Sequence, residues 1–256
     1  MIDQHAVISP DASIALGVEV GPYSIIGAGV EIEAGTWIGP HVVIKGPTRI
    51  GPDNRIYQFC SIGEDPQDKK YAGEPTRLEI GARNTIRESC TINRGTAQDR
   101  NVTTIGDDNW IMAYVHIAHD CDVGNNIIMA NATTLAGHVS VGDWAILGGF
   151  TKAHQFCRIG AHAFTAMDCA ISRDLPPYVM AAGHLALPRG INSEGLQRRG
   201  FSREQISRIK KAYKILYRSD LRLAEAIDKL RELATGHEEI GLLVRFLETS
   251  ERSIIR

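Results

Sequence analysis

The stretch ISPDASIALGVEVGPYSIIGAGVEIEAGTWIGPHVVI, residues 8–44, decides the fold. An aliphatic residue recurs at every sixth position, starting with Ile8, Ile14 and Val20, and the same phase continues to Ile62. A period of six fits neither the two-residue alternation of an ordinary strand nor the 3.6-residue turn of a helix. It predicts a triangular coil of three short strands per turn, in which residues eighteen apart lie above one another.

The interruptions in the repeat predict where the chain leaves the coil. Continuing the phase from Ile62 to Ile80 would place Asp68 in the aliphatic core, and burying an unpaired carboxylate is costly. An excursion is therefore predicted near residues 63–77. The interval from Ile92 to the next block is one residue too long for two hexads, so a second excursion is predicted near residues 93–103. Excursions from a rigid scaffold often carry binding residues.

The hexads stop at Ile171, and the Pro- and Gly-rich stretch DLPPYVMAAGHLALPRG follows. Beyond it, Ser202 and Gln205 have the spacing of a capping box at the start of an amphipathic helix. The sequence therefore predicts a β-helix over residues 1–189 and a helical domain over residues 190–256.

Composition narrows the possible partners. The net charge of −2, with 23% charged residues, gives no general attraction to nucleic acid. The longest apolar runs are too short for a transmembrane segment, and the N-terminal stretch has no apolar signal core, which predicts a cytoplasmic protein. The five cysteines form no CxxC pair, so reduced packing thiols are expected.

Histidines gather along one part of the repeat. Adding eighteen to His119 gives Gly137, and adding eighteen again gives Gln155, so these three residues should form a column. Glycine in such a column allows close approach of a ligand to the backbone. Acyl transfer to a hydroxyl needs a base and an oxyanion donor, which this cluster can supply. Four histidines fall within three consecutive coils: His116, His119, His138 and His154.

Several longer motifs resemble one enzyme family. They are QDKKYAGEPTR from Gln67, HIAHDC from His116, TLAGHVSVGD from Thr134, AHQFCRIGAH from Ala153 and RRGFSRE from Arg198. Together they are similar to the UDP-N-acetylglucosamine O-acyltransferases of lipid A biosynthesis, and the similarity covers essentially the whole chain.

The resemblance implies a fold, a reaction and partners. The fold would be mostly β, a left-handed parallel β-helix of hexapeptide repeats with a C-terminal α-helical domain. The reaction would move a 3-hydroxyacyl group from acyl carrier protein to the 3-hydroxyl of UDP-N-acetylglucosamine. The donor would supply its own 4′-phosphopantetheine, no cofactor or metal would be bound, and the enzyme would be a homotrimer.

The resemblance also implies residue roles. His119 matches the general base, Asp120 its orienting carboxylate and Gly137 the backbone oxyanion donor. Positions that match the acceptor and nucleotide sites are Gln67, Asp68, Lys70, His116, His138, His154, Gln155, Asn192, Glu194, Arg198 and Arg199. Met167 matches a position that limits acyl chain length, which predicts a preference near ten carbons. One departure is Asn93, where the family often has histidine.

Other interpretations of the hexads remain open at this point. His116, His119 and His138 also resemble the metal ligands of a γ-class carbonic anhydrase, which is built on the same coil. The helical tail and the RRGF motif argue against it. Another hexapeptide acyl- or acetyltransferase is a second alternative, and a non-catalytic scaffold is a third. The N-acyltransferase of lipid A synthesis carries a domain before its hexads, whereas here the hexads begin at Ile8.

Overall fold

A computed structural model describes all 256 residues, and most of them form a three-sided coil of short parallel strands. The first sheet contains Val7–Ile8 (β1), Ile25–Ile26 (β4), Val43–Ile44 (β7), Ser61–Glu64 (β10), Thr91–Asn93 (β13), His116–Ile117 (β16), Thr134–Leu135 (β19), Lys152–Ala153 (β22) and Ala170–Ile171 (β25). The second sheet contains Ser13–Ile14 (β2), Val30–Ile32 (β5), Thr48–Ile50 (β8), Arg77–Ile80 (β11), Val102–Ile105 (β14), Asp122–Val123 (β17), Ser140–Val141 (β20) and Arg158–Ile159 (β23).

The third sheet completes each coil and leads into the C-terminal helices. It contains Glu19–Val20 (β3), Trp37–Ile38 (β6), Arg55–Ile56 (β9), Thr85–Ile86 (β12), Trp110–Ile111 (β15), Ile128–Met129 (β18), Ile146–Leu147 (β21), Phe164–Thr165 (β24), Val179–Ala182 (β26) and Leu187–Ile191 (β27). Only the last pair, β26 and β27, is antiparallel. The helices are Ser193–Arg198 (α1), Arg203–Tyr217 (α2), Leu223–Ala234 (α3) and Glu238–Glu248 (α4). None of them is long and apolar enough to cross a membrane.

The strand register follows the eighteen-residue stacking. Ile117 pairs with Leu135, and Leu135 pairs with Ala153 one coil further on. The repeated aliphatic side chains point inward and are almost completely buried, as Ile117 illustrates at 0% exposure. At most corners the third residue after the inward aliphatic one has a positive φ, for example Asp120 at 58° and His138 at 64°. The corners therefore fix the direction in which their side chains leave the coil.

The three-sided coil has the shape of a prism, and we name its three edges by the sheets that they join. The first edge lies between the first and second sheets, the second edge between the second and third sheets, and the third edge between the third and first sheets. Residues 65–76 lie between β10 and β11, and residues 94–101 lie between β13 and β14. Both excursions therefore leave the coil at the first edge.

A second inward position, two residues before the aliphatic one, holds smaller and more polar side chains. All five cysteines occupy it, and all are buried and free. At the second edge the same position forms an asparagine ladder of Asn54, Asn84 and Asn109. The side-chain oxygen of Asn84 accepts a hydrogen bond from the N–H of Asn109 at 2.9 Å. The side-chain NH2 of Asn84 donates to the carbonyl oxygen of Gly106, also at 2.9 Å. The ladder thus ties successive coils together from inside.

The helical domain packs on the last coils around its own small core. The capping box predicted at Ser202 is present: its side chain accepts from the N–H of Gln205, and the Gln205 side chain accepts from the N–H of Ser202. Leu196, Leu230 and Leu243 are buried in this second core. The C-terminal residues return to the coil, where Ser250 donates to the buried carboxylate of Asp174 at 2.7 Å.

The asparagine ladder gives a stability prediction. Asn84→Ala leaves the N–H of Asn109 and the carbonyl of Gly106 without partners in the interior, at a cost of about 2–3 kcal/mol. We expect Tm to fall by roughly 4–12 °C relative to the parent at equal protein concentration, measured by scanning calorimetry. Thr85→Ala is the control, because it shortens the outward-facing side chain of the residue next to Asn84. An unchanged Tm for Asn84→Ala would show that the ladder contributes little.

Candidate active site

His119 and Asp120 form a hydrogen-bonded pair at the first edge. Nδ1 of His119 lies 2.9 Å from Oδ2 of Asp120, whose side chain is completely buried. A carboxylate oxygen only accepts hydrogen bonds, so Nδ1 carries the proton and Nε2 is left free to accept one. Thr96, in the second excursion, donates its N–H at 3.0 Å and its hydroxyl at 2.7 Å to the same carboxylate. Asp120 is therefore fixed from two sides.

The charge of Asp120 is stabilised despite its burial. Burial raises the pKa of this carboxyl, but the hydrogen bonds from His119 and Thr96 outweigh it, and the pKa lies below its ordinary value. Asp120 is thus ionised at neutral pH. A carboxylate in this position orients the imidazole and stabilises the imidazolium that forms when His119 accepts a proton.

Gly137 lies directly above the His119 imidazole, as the column predicted. A Cβ built on Gly137 would lie 2.6 Å from Cε1 and 2.7 Å from Nε2 of His119, which is closer than side-chain contacts allow. Only glycine fits there without moving the ring. The N–H of Gly137 has no acceptor within the protein. This donor is therefore left for an acceptor that the chain itself does not supply.

His138 lies beside His119 at the same edge. The two rings are edge-on with centroids 5.0 Å apart, and Phe156 stacks on His138 at 4.2 Å. Nδ1 of His138 lies 2.6 Å from Oδ2 of Asp99 in the second excursion. The motifs contained no signal for this partner, because the conformation of the excursion does not follow the hexad.

A cavity of about 490 Å³ opens in front of these rings. The first excursion, the second excursion and the coil all contribute to its wall. The lining residues are Gln67, Asp68, Lys69, Lys70, Gln98, His119, His138, Gln155 and Phe156. Five predicted binding residues are therefore brought together with His119: Gln67, Asp68, Lys70, His138 and Gln155.

The other two histidines of the cluster flank this cavity. His116 is half-buried on β16 and its Nδ1 lies 2.7 Å from the Thr91 hydroxyl. Burial, and secondarily the charge of His119, lowers the pKa of His116, so its imidazole is neutral at pH 7. His154 is exposed, and its Nδ1 lies 3.2 Å from the carbonyl oxygen of Gln155.

The last residue of β13, Asn93, and the first residue of the second excursion, Arg94, hold the first excursion in place. Asn93 donates its side-chain N–H to the carbonyl oxygen of Asp65 at 2.7 Å. Arg94 is buried and donates to the carbonyl of Gly63 at 2.5 Å, to the carboxylate of Asp65 and to the Tyr71 hydroxyl at 3.1 Å. The loop with Asp68 and Lys70 is thus anchored at its base. Sequence reasoning had no role for Arg94, although an arginine directly after a strand at an excursion was a usable signal.

The predicted nucleotide-binding residues lie at a different edge. Arg199 lies against His162 and over the ring of Trp144, both at the second edge. Burial, and then the Arg199 charge, lowers the pKa of His162 to about 4. Asn192 is buried as the N-cap of α1, and Glu194 and Arg198 are exposed and paired with each other. One chain alone does not bring these four residues to the cavity of His119.

Met167 lies at the third edge, between β24 and β25. Its side chain is 74% exposed, so it is not a packing residue within this chain. The sequence argument placed it at the end of a groove running along the coil from His119. Within one chain the two residues lie at different edges, because His119 to Met167 spans eight hexads and only multiples of three return to the same edge. The role of Met167 in limiting the acyl chain stays a prediction.

The cluster does not have the features of a metal centre. Ligand atoms of His119, Asp120 and His138 lie within 4.8 Å of one another. However, Asp120 faces the N–H and hydroxyl donors of Thr96, and the Nδ1 atoms of both histidines are directed to carboxylates. Donors crowded around the carboxylate favour a hydrogen-bonded network over a bound cation.

Comparison with known proteins decides the family. Residues 174–255 match the family described as UDP N-acetylglucosamine O-acyltransferase, domain 2, and residues 103–137 match the bacterial transferase hexapeptide family. The chain is 64% identical to the acyl-(acyl-carrier-protein)-UDP-N-acetylglucosamine O-acyltransferase of Thiobacillus denitrificans and 62% identical to that of Herminiimonas arsenicoxydans, over 100% of this chain and 99% of each relative. The chain belongs to the UDP-N-acetylglucosamine O-acyltransferase family.

Solved structures of this family show the same architecture. The UDP-N-acetylglucosamine acyltransferase of Francisella novicida, at 43% identity, superposes with a TM-score of 0.99 over 100% of this chain and 94% of that chain. The Acinetobacter baumannii homologue, at 47% identity, gives a TM-score of 0.97 over 100% and 99%. The predicted fold, a left-handed parallel β-helix with a C-terminal helical region, is confirmed, and the protein is an acyltransferase.

The contact between Gly137 and His119 gives a catalytic prediction. Gly137→Ala forces the imidazole away from its position, and small misplacements of a catalytic group can cost on the order of a hundredfold in rate. We expect kcat to fall by at least about tenfold with Tm nearly unchanged. Gly149→Ala is the matched control, since it has the same hexad position but its Cβ would lie 3.4 Å from the nearest atom. Equal kcat values for the two variants would contradict this geometry.

Proposed function

We propose that this enzyme transfers a 3-hydroxyacyl group from acyl carrier protein to the 3-hydroxyl of UDP-N-acetylglucosamine, the first step of lipid A biosynthesis. The observation that carries the proposal is the buried Asp120–His119 pair beneath Gly137, open to a polar cavity. The names of relatives up to 64% identical agree with it. The donor supplies its own 4′-phosphopantetheine thioester, and no resident cofactor is needed. A cytoplasmic location stays a prediction.

In this mechanism His119 is the general base. Its Nε2 takes the proton of the sugar 3-hydroxyl as the oxygen attacks the thioester carbonyl carbon. The carbonyl oxygen becomes an oxyanion that accepts a hydrogen bond from the N–H of Gly137. Collapse of the tetrahedral intermediate breaks the carbon–sulfur bond, and the leaving thiolate recovers the proton from the His119 imidazolium. Asp120 stabilises that imidazolium without exchanging a proton.

The cavity wall suits an acceptor sugar and its diphosphate. Asp68 accepts hydrogen bonds from hydroxyl groups, and Lys70 offers a positive charge to phosphate oxygens. Gln67 and Gln155 offer both donors and acceptors. His116, His138 and His154 complete the polar surroundings of the sugar.

The outward faces of the sheets support a homotrimer. On the third sheet, Trp110, Ile128, Ile146, Phe164 and Met180 are stacked neighbours in one outward row. A contiguous apolar row on a monomer surface indicates a protein–protein contact. The second sheet presents charged outward residues instead, among them Glu31, Arg49, Glu79 and Asp122.

A trimer in which the third sheet of one copy faces the first sheet of the next would complete the site. The borders of the third sheet are the second edge, which carries Arg199, and the third edge, which carries Met167. The nucleotide-binding group of the neighbouring copy would then lie near His119 of this one, where guanidinium forks suit phosphate oxygens. The acyl chain would run between the two sheets toward Met167. The nucleotide-binding group is Asn192, Glu194, Arg198 and Arg199.

Basic residues of the helical domain are the proposed contact for acyl carrier protein. Arg208 is already paired with Glu239 at 2.7 Å, and Arg198 with Glu194. Arg203, Lys210 and Lys211 are exposed. These three residues are therefore the better candidates to meet an acidic carrier protein.

The reaction can be tested by product mass. We expect the wild-type enzyme, given UDP-N-acetylglucosamine and 3-hydroxydecanoyl acyl carrier protein, to form the mono-O-acylated nucleotide sugar. His119→Ala should lower kcat by about a hundredfold or more while the oligomer stays intact, because a positioned general base is lost. Near wild-type turnover in this variant would assign the base to another residue. Absence of the acylated product with the wild-type enzyme would contradict the proposed function.

Chain length gives a further prediction. A methionine extends roughly 4–5 Å from the backbone, against about 1.3 Å per methylene, so Met167 should shorten the acyl groove by about three or four carbons. Within a range of about 10 to 14 carbons, the wild type should prefer the 10-carbon donor. Met167→Gly should shift the preference toward longer donors, and Met167→Leu, which keeps the bulk, should not. Identical donor profiles for all three proteins would remove Met167 as the limiting residue.

A further inference from the structure

The second excursion, residues 94–101, contacts both histidines of the candidate active site. Thr96 holds Asp120, which in turn holds His119. Three residues further on, Asp99 binds His138 directly. The same short segment therefore reaches each imidazole through a separate carboxylate.

Asp99 is the carboxylate within hydrogen-bonding distance of the Nδ1 atom of His138, since Oδ2 of Asp120 lies 4.0 Å from the same atom. Phe156 stacks on the ring with an angle of 12° between planes, and His119 meets it edge-on at 89°. These contacts fix the plane of the ring, but they are compatible with both of the orientations that a flip of the ring within that plane interconverts. Asp99 accepts a hydrogen bond from Nδ1 at 2.6 Å and so selects one orientation, in which Nδ1 is occupied. Nε2 is then the nitrogen left for a ligand in the cavity.

We propose that Asp99 is a positioning residue for acyl transfer, which holds His138 with Nε2 available to the acceptor sugar. It forms a second carboxylate–imidazole pair beside that of Asp120 and His119. Asp99 does not line the cavity in front of His119; it lines a neighbouring cavity that shares His138 and Phe156 with it. The inference deepens the proposed function and rests on the assignment of His138 to the acceptor site.

Asp99 is not needed to hold the excursion itself in place. Thr96 ties it to the buried carboxylate of Asp120. Arg100 ties it to Asp122 across 3.2 Å, and Arg94 anchors its start. Removing the Asp99 carboxylate therefore releases the His138 ring while the segment keeps its other contacts.

A double-mutant cycle tests the inference. We expect Asp99→Ala to lower kcat/KM for UDP-N-acetylglucosamine by about tenfold, the loss typical of one hydrogen bond to a charged partner. In a His138→Ala background the same substitution should change kcat/KM by less than about twofold, because the group it positions is gone. Asp99→Asn retains an acceptor for Nδ1 and should recover most of the activity. Tm should stay close to that of the parent in each case.

Arg100→Ala is the matched control, since it removes the ion pair of the same segment with Asp122 and leaves the contacts of His138 unchanged. It should leave kcat/KM unchanged. The inference is overturned if Asp99→Ala has its full effect in the His138→Ala background, or if Arg100→Ala is equally damaging. In those cases the proposed function stands. If His138→Ala itself has no effect, the assignment of His138 to the acceptor site fails together with the inference.

Discussion

The eighteen-residue stacking of the coil is the constraint on which the rest of the structure depends. Away from the two excursions and the last coil, each inward aliphatic side chain sits on the one eighteen positions earlier, and most corners take the same positive φ. A side chain at a corner therefore has a fixed neighbour above and below. The ring of His119 can lie beneath Gly137 because the register brings them together and because Gly137 has no side chain.

Stacking also explains why the residues proposed for catalysis and those proposed for nucleotide and acyl binding lie at different edges. The register builds the His119 column at the first edge, and both excursions leave at that edge to enclose it. The groups that resemble nucleotide- and acyl-binding residues are fixed at the other two edges. A rigid prism cannot bend one edge toward another. A symmetric assembly, in which different edges of neighbouring copies meet, is the simplest way to join them.

Much of the fold and of the His119 column could be predicted from the sequence, because a strict period determines where on the coil each residue lies. The column of His119, Gly137 and Gln155 followed from counting, and so did both excursions. Counting hexads in threes would also have placed Met167 at the third edge. The contact of His138 with Asp99 could not be predicted, because the excursions obey no period. Asp99 and His138 are thirty-nine residues apart and meet only through loop conformation.

We propose that each active site combines the His119 edge of one copy with the Arg199 edge of another. Mixing two inactive variants tests it most directly. His119→Ala and Arg199→Ala subunits, unfolded together and reassembled, should regain activity, because some interfaces then pair an intact first edge with an intact second edge. Reassembly of either variant alone should stay inactive. A mixture that assembles fully yet shows no more activity than the separate variants would contradict a site shared between copies.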